Sequence, residues 1–428
     1  MIPKGKPMRR FTLAAALAVA FAPNAFAAAP APADVVKTYV AIAAATYGDA
    51  FATAGKLEAA VDALIANPTP ETLAAARDAW KAARVPYQRS EVFRFGNPIV
   101  DDWEGRVNAW PLDEGLIDYV DGAYGTESDA NAFYTLNVIA HPKIRIGAKE
   151  VDATVITPEL LRESLQEAGD IETNVATGYH AVEFLLWGQD LNGTGPGAGN
   201  RPATDFDPKA CTGGNCDRRA AYLKAATDLL VADLKEMADN WAPEGAAAKR
   251  LLDADPNEGL AAALTGMGSL SYGELAGERM KLGLMLHDPE EEQDCFSDNT
   301  FNSHYNDVVG IRGVYVGRYE RVDGSVVEGP SLSQLVAAAD PAVDAELTAK
   351  LDATLAAFTA LKKRGDTVEA YDQMIGEGNT EGNAVVQAAV DALLAQVPSI
   401  ERAVGALKLG SIAFEGSDSL DNPEAVLK

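Results

Sequence analysis

Residues 177–188 read TGYHAVEFLLWG, a stretch apolar almost all the way round that nevertheless contains a histidine and a glutamate. A helix apolar on every side is one that a fold buries. This chain must therefore enclose an imidazole and a carboxylate, groups that seldom enter a core without a partner or a task. Positions three apart share a helix face, so His180 and Glu183 point the same way. Three chemistries fit that pairing: a buried hydrogen bond that locks helices together, the start of a metal site, or a metal-free acid/base or ligand-binding pair. The His-x-x-Glu spacing alone does not choose. A zinc hydrolase built on it needs a third protein ligand and an open position for water.

The rest of the chain favours helix. Of its 428 residues, 47% are hydrophobic and 7% aromatic, with alanine abundant, enough for real cores and poorer material for sheets. Residues 1–27 read as a signal peptide: Lys4, Lys6, Arg9 and Arg10 precede the apolar run from Phe11 to Ala22, and Ala25-Phe26-Ala27 fits a cleavage site. No Cys lies there to take a lipid, and no later run is long and apolar enough to span a bilayer. These features predict an exported, periplasmic protein. The formal charge of −27 becomes −31 once the four cations of the leader are removed, which argues against nucleic acid and anionic lipid as partners. Export permits disulfides. The glycine-containing loop CTGGNC is flexible enough to close a Cys211–Cys216 bridge, leaving Cys295 as a buried thiol.

Helix punctuation recurs along the chain. A long helix is expected over Val35–Ile65. A second opens at Thr69-Pro70 and runs to about Phe93, and another opens at Thr157-Pro158. Further helices are expected over Arg218–Trp241, about Asn257–Leu286, from Asp340-Pro341 onward and from about Asn383, the last interrupted near Pro398. The helix after Asp340 carries Val343, Leu347, Leu351, Leu355, Phe358 and Leu361 on one stripe. Asn97–Ile156 reads as irregular, and Asp190–Asp217 as a long loop. His304–Tyr319 could be helix or partly extended, Val314–Val316 being a strand signal, and Val322–Val327 around Asp323-Gly324 suggests a small hairpin. The expected architecture is all-α: an N-terminal helical bundle over 28–200 and a C-terminal one over 201–428.

Several segments together resemble the imelysin family. Gly178-x-His180-x-x-Glu183 matches its GxHxxE signature. WKAARVPYQRSEVFRFG (80–96), GNRPATDF (199–206), ELAGERM (274–280) and DPEEEQDCFSDNT (288–300) look like its other motifs. The chain departs from the family at Gln293 and Phe301, where histidine is frequent, and this weakens the case for a His-rich metal site. The resemblance implies two helical bundles with the GxHxxE helix near their interface, an envelope location and a link to iron supply. It also implies two candidate activities. One is binding of iron, an iron-bearing ligand or an envelope protein or peptide partner in the cleft between bundles. The other is a zinc-dependent metallopeptidase with His180 and Glu183 as ligands. Iron and zinc both suit mixed nitrogen and carboxylate ligation.

The expected site comprises Gly178, His180 and Glu183 with Glu91 and Arg279 nearby, and His180 and Glu183 are the metal ligands if a metal binds. Glu274 and Glu278 form a second set with Arg279. Glu278 and Arg279 adjoin, so one is expected to face the site and the other solvent. Asp298 and Asn299 fit a capping role. His141 fits a surface loop, and His287 a helix C-terminus. His304 could substitute for the missing histidines. The run Glu290-Glu291-Glu292 reads as a solvated face. Asp190, Asn192, Asp205 and Asp207 are oxygen donors on a glycine-rich loop, without EF-hand spacing. No G-x-S-x-G, H-E-x-x-H, Walker A or Rossmann pattern occurs.

Overall fold

The computed structural model describes Met1 and residues 29–427. The signal peptide expected over 1–27 thus lies outside the described residues, Met1 apart. Helix α1 spans Pro32–Ala66 and α2 Pro70–Ser90, followed by a 3-10 turn at Glu91–Phe93. Thr69 and Thr72 form a capping box at the start of α2, with Pro70 in its first turn. Helix α3 covers Pro98–Asn108, capped by the Asn97 side chain. Strands β1 (Lys143–Ile146) and β2 (Lys149–Asp152) form an antiparallel hairpin. Helix α4 is one turn, Pro158–Leu160, widening into a π-turn to Leu165. Then come α5 (Gly178–Trp187), α6 (Cys216–Trp241), α7 (Ala246–Leu252) and α8 (Pro256–Ser269). Helix α8 continues as a π-helix over Leu270–Lys281 and returns to α geometry in α9, Leu282–Leu286. After α10 (Thr300–Val316), the second hairpin pairs β3 (Arg318–Glu320) with β4 (Val326–Glu328). Helices α11 (Leu332–Ala339), α12 (Pro341–Thr367), α13 (Tyr371–Ile375), α14 (Thr380–Ala406), α15 (Asp418–Asp421) and α16 (Pro423–Val426) complete the chain.

The fold is mainly α. Helix α1 lies along α2 and α6, and α5 packs on both α2 and α6. A second group places α12 between α10 and α14, with the π-helix against α14. The two groups meet where α10 crosses α2. Gly310 makes that crossing close: a Cβ there would fall 2.5 Å from the Arg89 carbonyl oxygen. The buried apolar core is continuous through both groups. Tyr47 stacks on Trp241 with Phe93 tilted against both, and Tyr179 of α5 packs on Trp80 and Tyr87 of α2. Among the described residues no helix is long and apolar enough to cross a membrane.

Three expectations are corrected. The stretch after Asn97 is not irregular throughout, because Asn97 and Pro98 start α3 and residues 143–152 form the first hairpin. Val314–Val316 is helical rather than extended, since α10 runs through it and stops at Gly317 in the left-handed region. Cys295 is a free thiol but only partly buried, while Cys211 and Cys216 are bonded as expected. The hairpin around Asp323-Gly324 and the buried stripe Leu347, Leu351, Phe358 and Leu361 on α12 are present.

Candidate functional site

Helix α5 starts at Gly178 with φ +79°, and a Cβ at that position would sit 2.5 Å from the Val107 carbonyl oxygen. Only glycine permits both the left-handed backbone and this approach. The consequence is local: the end of α3 touches the start of α5, and the side chain of Asn108 reaches His180. His180 Nε2 lies 3.2 Å from Asn108 Oδ1, and His180 Nδ1 lies 3.1 Å from Glu183 Oε2. The other carboxyl oxygen of Glu183 accepts from the Ser297 backbone N–H at 3.0 Å. His180 and Glu183 are 1% and 0% exposed.

The network continues outward on both sides. Arg84 on α2, fully buried, donates to Asn108 Oδ1 at 2.7 Å and to Asp294 Oδ1 at 2.7 Å. Asp294 also accepts from Asn299 at 2.8 Å and Ser303 at 2.5 Å. The Asn108 amide nitrogen donates to Glu104 at 3.0 Å and, at 3.5 Å, to Glu91. Glu91 receives Arg279 at 2.5 Å, and Arg279 also donates to Glu274 at 2.9 Å. Glu274 and Arg279 are five apart, and they meet because the π-helix carrying them has a wider turn than an α-helix.

This connectivity locates a proton. Arginine can only donate, so the Asn108 oxygen that faces Arg84 is an acceptor and His180 Nε2 must carry hydrogen. Burial and the nearby Arg84 charge pull His180 down to about 3, so the ring is neutral and its Nδ1 is bare. Nδ1 and Glu183 Oε2 share the remaining proton in one buried hydrogen bond. Burial, reinforced by Asp294, does push Glu183 well above the usual carboxylate range. Burial also pushes Asp294 upward, but Arg84 and its other donors outweigh it and hold that group at about 2. The centre is a buried, hydrogen-bonded His–Glu pair beside an Arg–Asp ion pair.

His180, Glu183 and Asp294 present ligand atoms within 4.8 Å of one another, so the third donor that a zinc or iron site requires is present. The donor types suit such a metal, but the bonding does not. The Glu183 and Asp294 oxygens and both His180 nitrogens have partners, and none is left orphaned. A cation would have to break the His180–Glu183 hydrogen bond and compete with a guanidinium already bonded to Asp294. The triad as built does not fit a resident metal.

What opens to solvent is the next layer. A cleft of about 430 Å³ lies over Asn108, with walls formed by Arg94, Glu104, Glu274, Glu278, Arg279, Glu291 and Gln293. Four carboxylates face two guanidiniums there. Arg94 spans Glu104 at 3.6 Å and Glu274 at 3.4 Å. Burial raises Glu104 to about 7 despite the pull of Arg94.

The sequence profile named Imelysin, of peptidase family M75, matches residues 43–400. The chain belongs to the imelysin family. An iron-regulated protein A from Synechococcus elongatus is 36% identical over 83 residues, which are 19% of this chain and 21% of that relative. The match therefore spans about a fifth of that relative's length. Among solved structures, an iron-regulated protein A precursor from Parabacteroides distasonis superposes with a TM-score of 0.63 at 19% identity, covering 89% of this chain and 96% of that one. That likeness shows a shared fold.

In this imelysin, His180, Glu183, Glu91 and Arg279 lie in one bonded network through Asn108, and Gly178 takes no bond in it but starts the helix against Val107. Arg279 is buried while its neighbour Glu278 is exposed at the cleft wall. Other expectations change. Asn299 stands at the start of α10 but makes no capping bond, because its amide is drawn to Asp294. Asp298 is not a cap either and joins Glu292 and Asp372. Glu292 is 1% exposed, so the glutamate run is not wholly solvated. Asp205 is held by Arg201, Tyr119 and Thr212, and so is committed to the loop itself. As expected, His287 stands at the C-terminal end of α9, where its Nδ1 bonds the Ile375 carbonyl oxygen at 2.6 Å, and His141 is an exposed loop residue. His304 is buried next to Asp307, far enough from it, at 3.7 Å, that neither ring nitrogen has a hydrogen-bond partner. Arg84, Asn108 and Asp294 were missed. Arg84 and Asp294 fall inside the motifs WKAARVPYQRSEVFRFG and DPEEEQDCFSDNT, the one signal that could have raised them.

Proposed function

We propose that this imelysin-family protein is an exported, periplasmic component of iron acquisition that binds iron or a cationic iron-bearing ligand in the cleft over Asn108. One observation carries the reading: the cleft is net acidic and rests on Asn108, the residue that receives both His180 and Arg84. In this view His180 and Glu183 do not hold the ligand. They fix Asn108, and through it Glu91, Glu104 and Arg279, in one arrangement. The iron-regulated names of the two relatives support the link to iron, and the basic, apolar leader supports export.

The test is calorimetric titration of a cationic ferric trihydroxamate (ferrioxamine B), and separately of anaerobic Fe(II), into the mature protein and a Glu104→Gln/Glu278→Gln variant. Binding to the parent, weakened at least about tenfold (about 1.4 kcal/mol) in the folded variant, is expected. Equal affinity in the two proteins, or no binding of either form of iron, would sink the reading. The zinc-peptidase alternative has Asp294 in its favour as a third donor. Elemental analysis of protein purified without chelator decides it. Stoichiometric zinc that disappears in a folded His180→Ala/Glu183→Ala variant would move the ligand from the cleft to the triad.

A further inference from the structure

Glu292, Asp298 and Asp372 come from three separate segments: the end of the turn at Pro289–Glu291, the residue before Asn299, and the first turn of α13. Each presents a carboxylate oxygen within 4.8 Å of the others. Two oxygens on one ion at about 2.4 Å can be at most about twice that distance apart, so the group has the dimensions of a coordination shell. Glu292 and Asp372 are each 1% exposed. Glu292 Oε1, Asp298 Oδ1 and both oxygens of Asp372 are buried with no hydrogen-bond partner.

No Lys, Arg or His among the described residues lies within ion-pair distance of any of the three. Lys81, the nearest influence of opposite sign on Asp298, spends its ammonium on the Ser297 carbonyl at 2.9 Å. Natural proteins do not leave buried acids such as Glu292 and Asp372 uncompensated.

We propose that Glu292, Asp298 and Asp372 form a binding site for a hard, oxygen-seeking divalent cation of the Ca²⁺ class. The donor set is all oxygen, which favours hard cations over zinc or copper. Up to six carboxylate oxygens are on hand, and Asp298 is only partly covered, which leaves the ion a path from solvent. The ion ties α13 to residues 292–298, the segment that also supplies Asp294 to Arg84 and Ser297 to Glu183. It is separate from the cleft and from the His180 triad.

The experiment titrates CaCl₂ by calorimetry into chelator-treated mature protein, beside Glu292→Gln and Asp372→Asn variants, with melting temperatures recorded in chelator and in Ca²⁺. One Ca²⁺ per chain in the parent, lost in both variants, is expected. Melting gives a crossed pattern that a misfolded variant cannot imitate. In chelator Glu292→Gln melts at or above the parent, since a repelling acid is gone, and Ca²⁺ raises the parent but not the variant. Absence of saturable Ca²⁺ uptake by the parent overturns the proposal. So does unchanged stoichiometry in both folded variants, which would put the ion elsewhere on the acidic surface.

Discussion

His180 and Arg84 share one acceptor: the amide oxygen of Asn108 lies 3.2 Å from the imidazole Nε2 and 2.7 Å from the guanidinium. Asn108→Ala would therefore strand two buried donors at once. Unsatisfied buried groups cost about 1–3 kcal/mol each, more when charged. We expect a loss of at least about 3 kcal/mol in urea denaturation. A loss under about 1 kcal/mol would mean that water substitutes freely and that Asn108 does not organise the centre.

Arg84 and Asp294 are a 2.7 Å ion pair with neither side chain exposed. Removing one member leaves the other charged and buried, at a cost of about 3–5 kcal/mol. Arg84→Met should show that loss, and Arg84→Met/Asp294→Leu should recover part of it. A double variant as damaged as the sum of the two singles would refute direct pairing as the source of the effect.

Gly178→Ala carries two penalties. Its φ of +79° costs a side chain about 1–3 kcal/mol. The added methyl meets the Val107 backbone, and overpacking adds about 1–3 kcal/mol. The variant should melt well below the parent and lose cleft affinity, because α5 can no longer bring His180 to Asn108. Retained affinity would show that the cleft does not depend on this contact.

His304 gives a pH prediction. Burial and Arg279 lower it from 6.5 to about 3 in the folded protein. Below 6.5 the unfolded chain gains a proton that the folded one refuses, so His304 draws stability down as pH falls through that window. His304→Gln removes this term. Its stability relative to the parent should rise by about 1.4 kcal/mol per pH unit from about pH 6 to about pH 4. Parallel stability curves from denaturation at several pH values would mean that His304 titrates normally.

Helices with local punctuation were legible: Thr69-Pro70 opens α2 and Asp340-Pro341 opens α12 because capping and a fixed proline φ act within a few residues. The His180–Glu183 pairing was legible for the same reason, since both lie on one short helix. Glu91 and Arg279 were reached through the family resemblance, not through any local pattern. Arg84 and Asp294 stayed hidden because their burial is decided by partners 210 residues apart. Glu292 misled for a related reason. In sequence it is the third acid of a charged run, and only the packing of α13 onto that segment covers it.

The span of the Arg84–Asp294 pair has a temporal consequence. The chain is made from its N-terminus, and α1, α2, α3 and α5 are complete long before Asp294 exists. If those helices closed early, they would enclose an unpaired guanidinium, the arrangement that costs most. Closure around Arg84 must therefore wait for the final third of the polypeptide, and long-range contacts of this kind form slowly in any case. A molecule that stays open until about two-thirds of it has been synthesised is one that can still be threaded through a membrane.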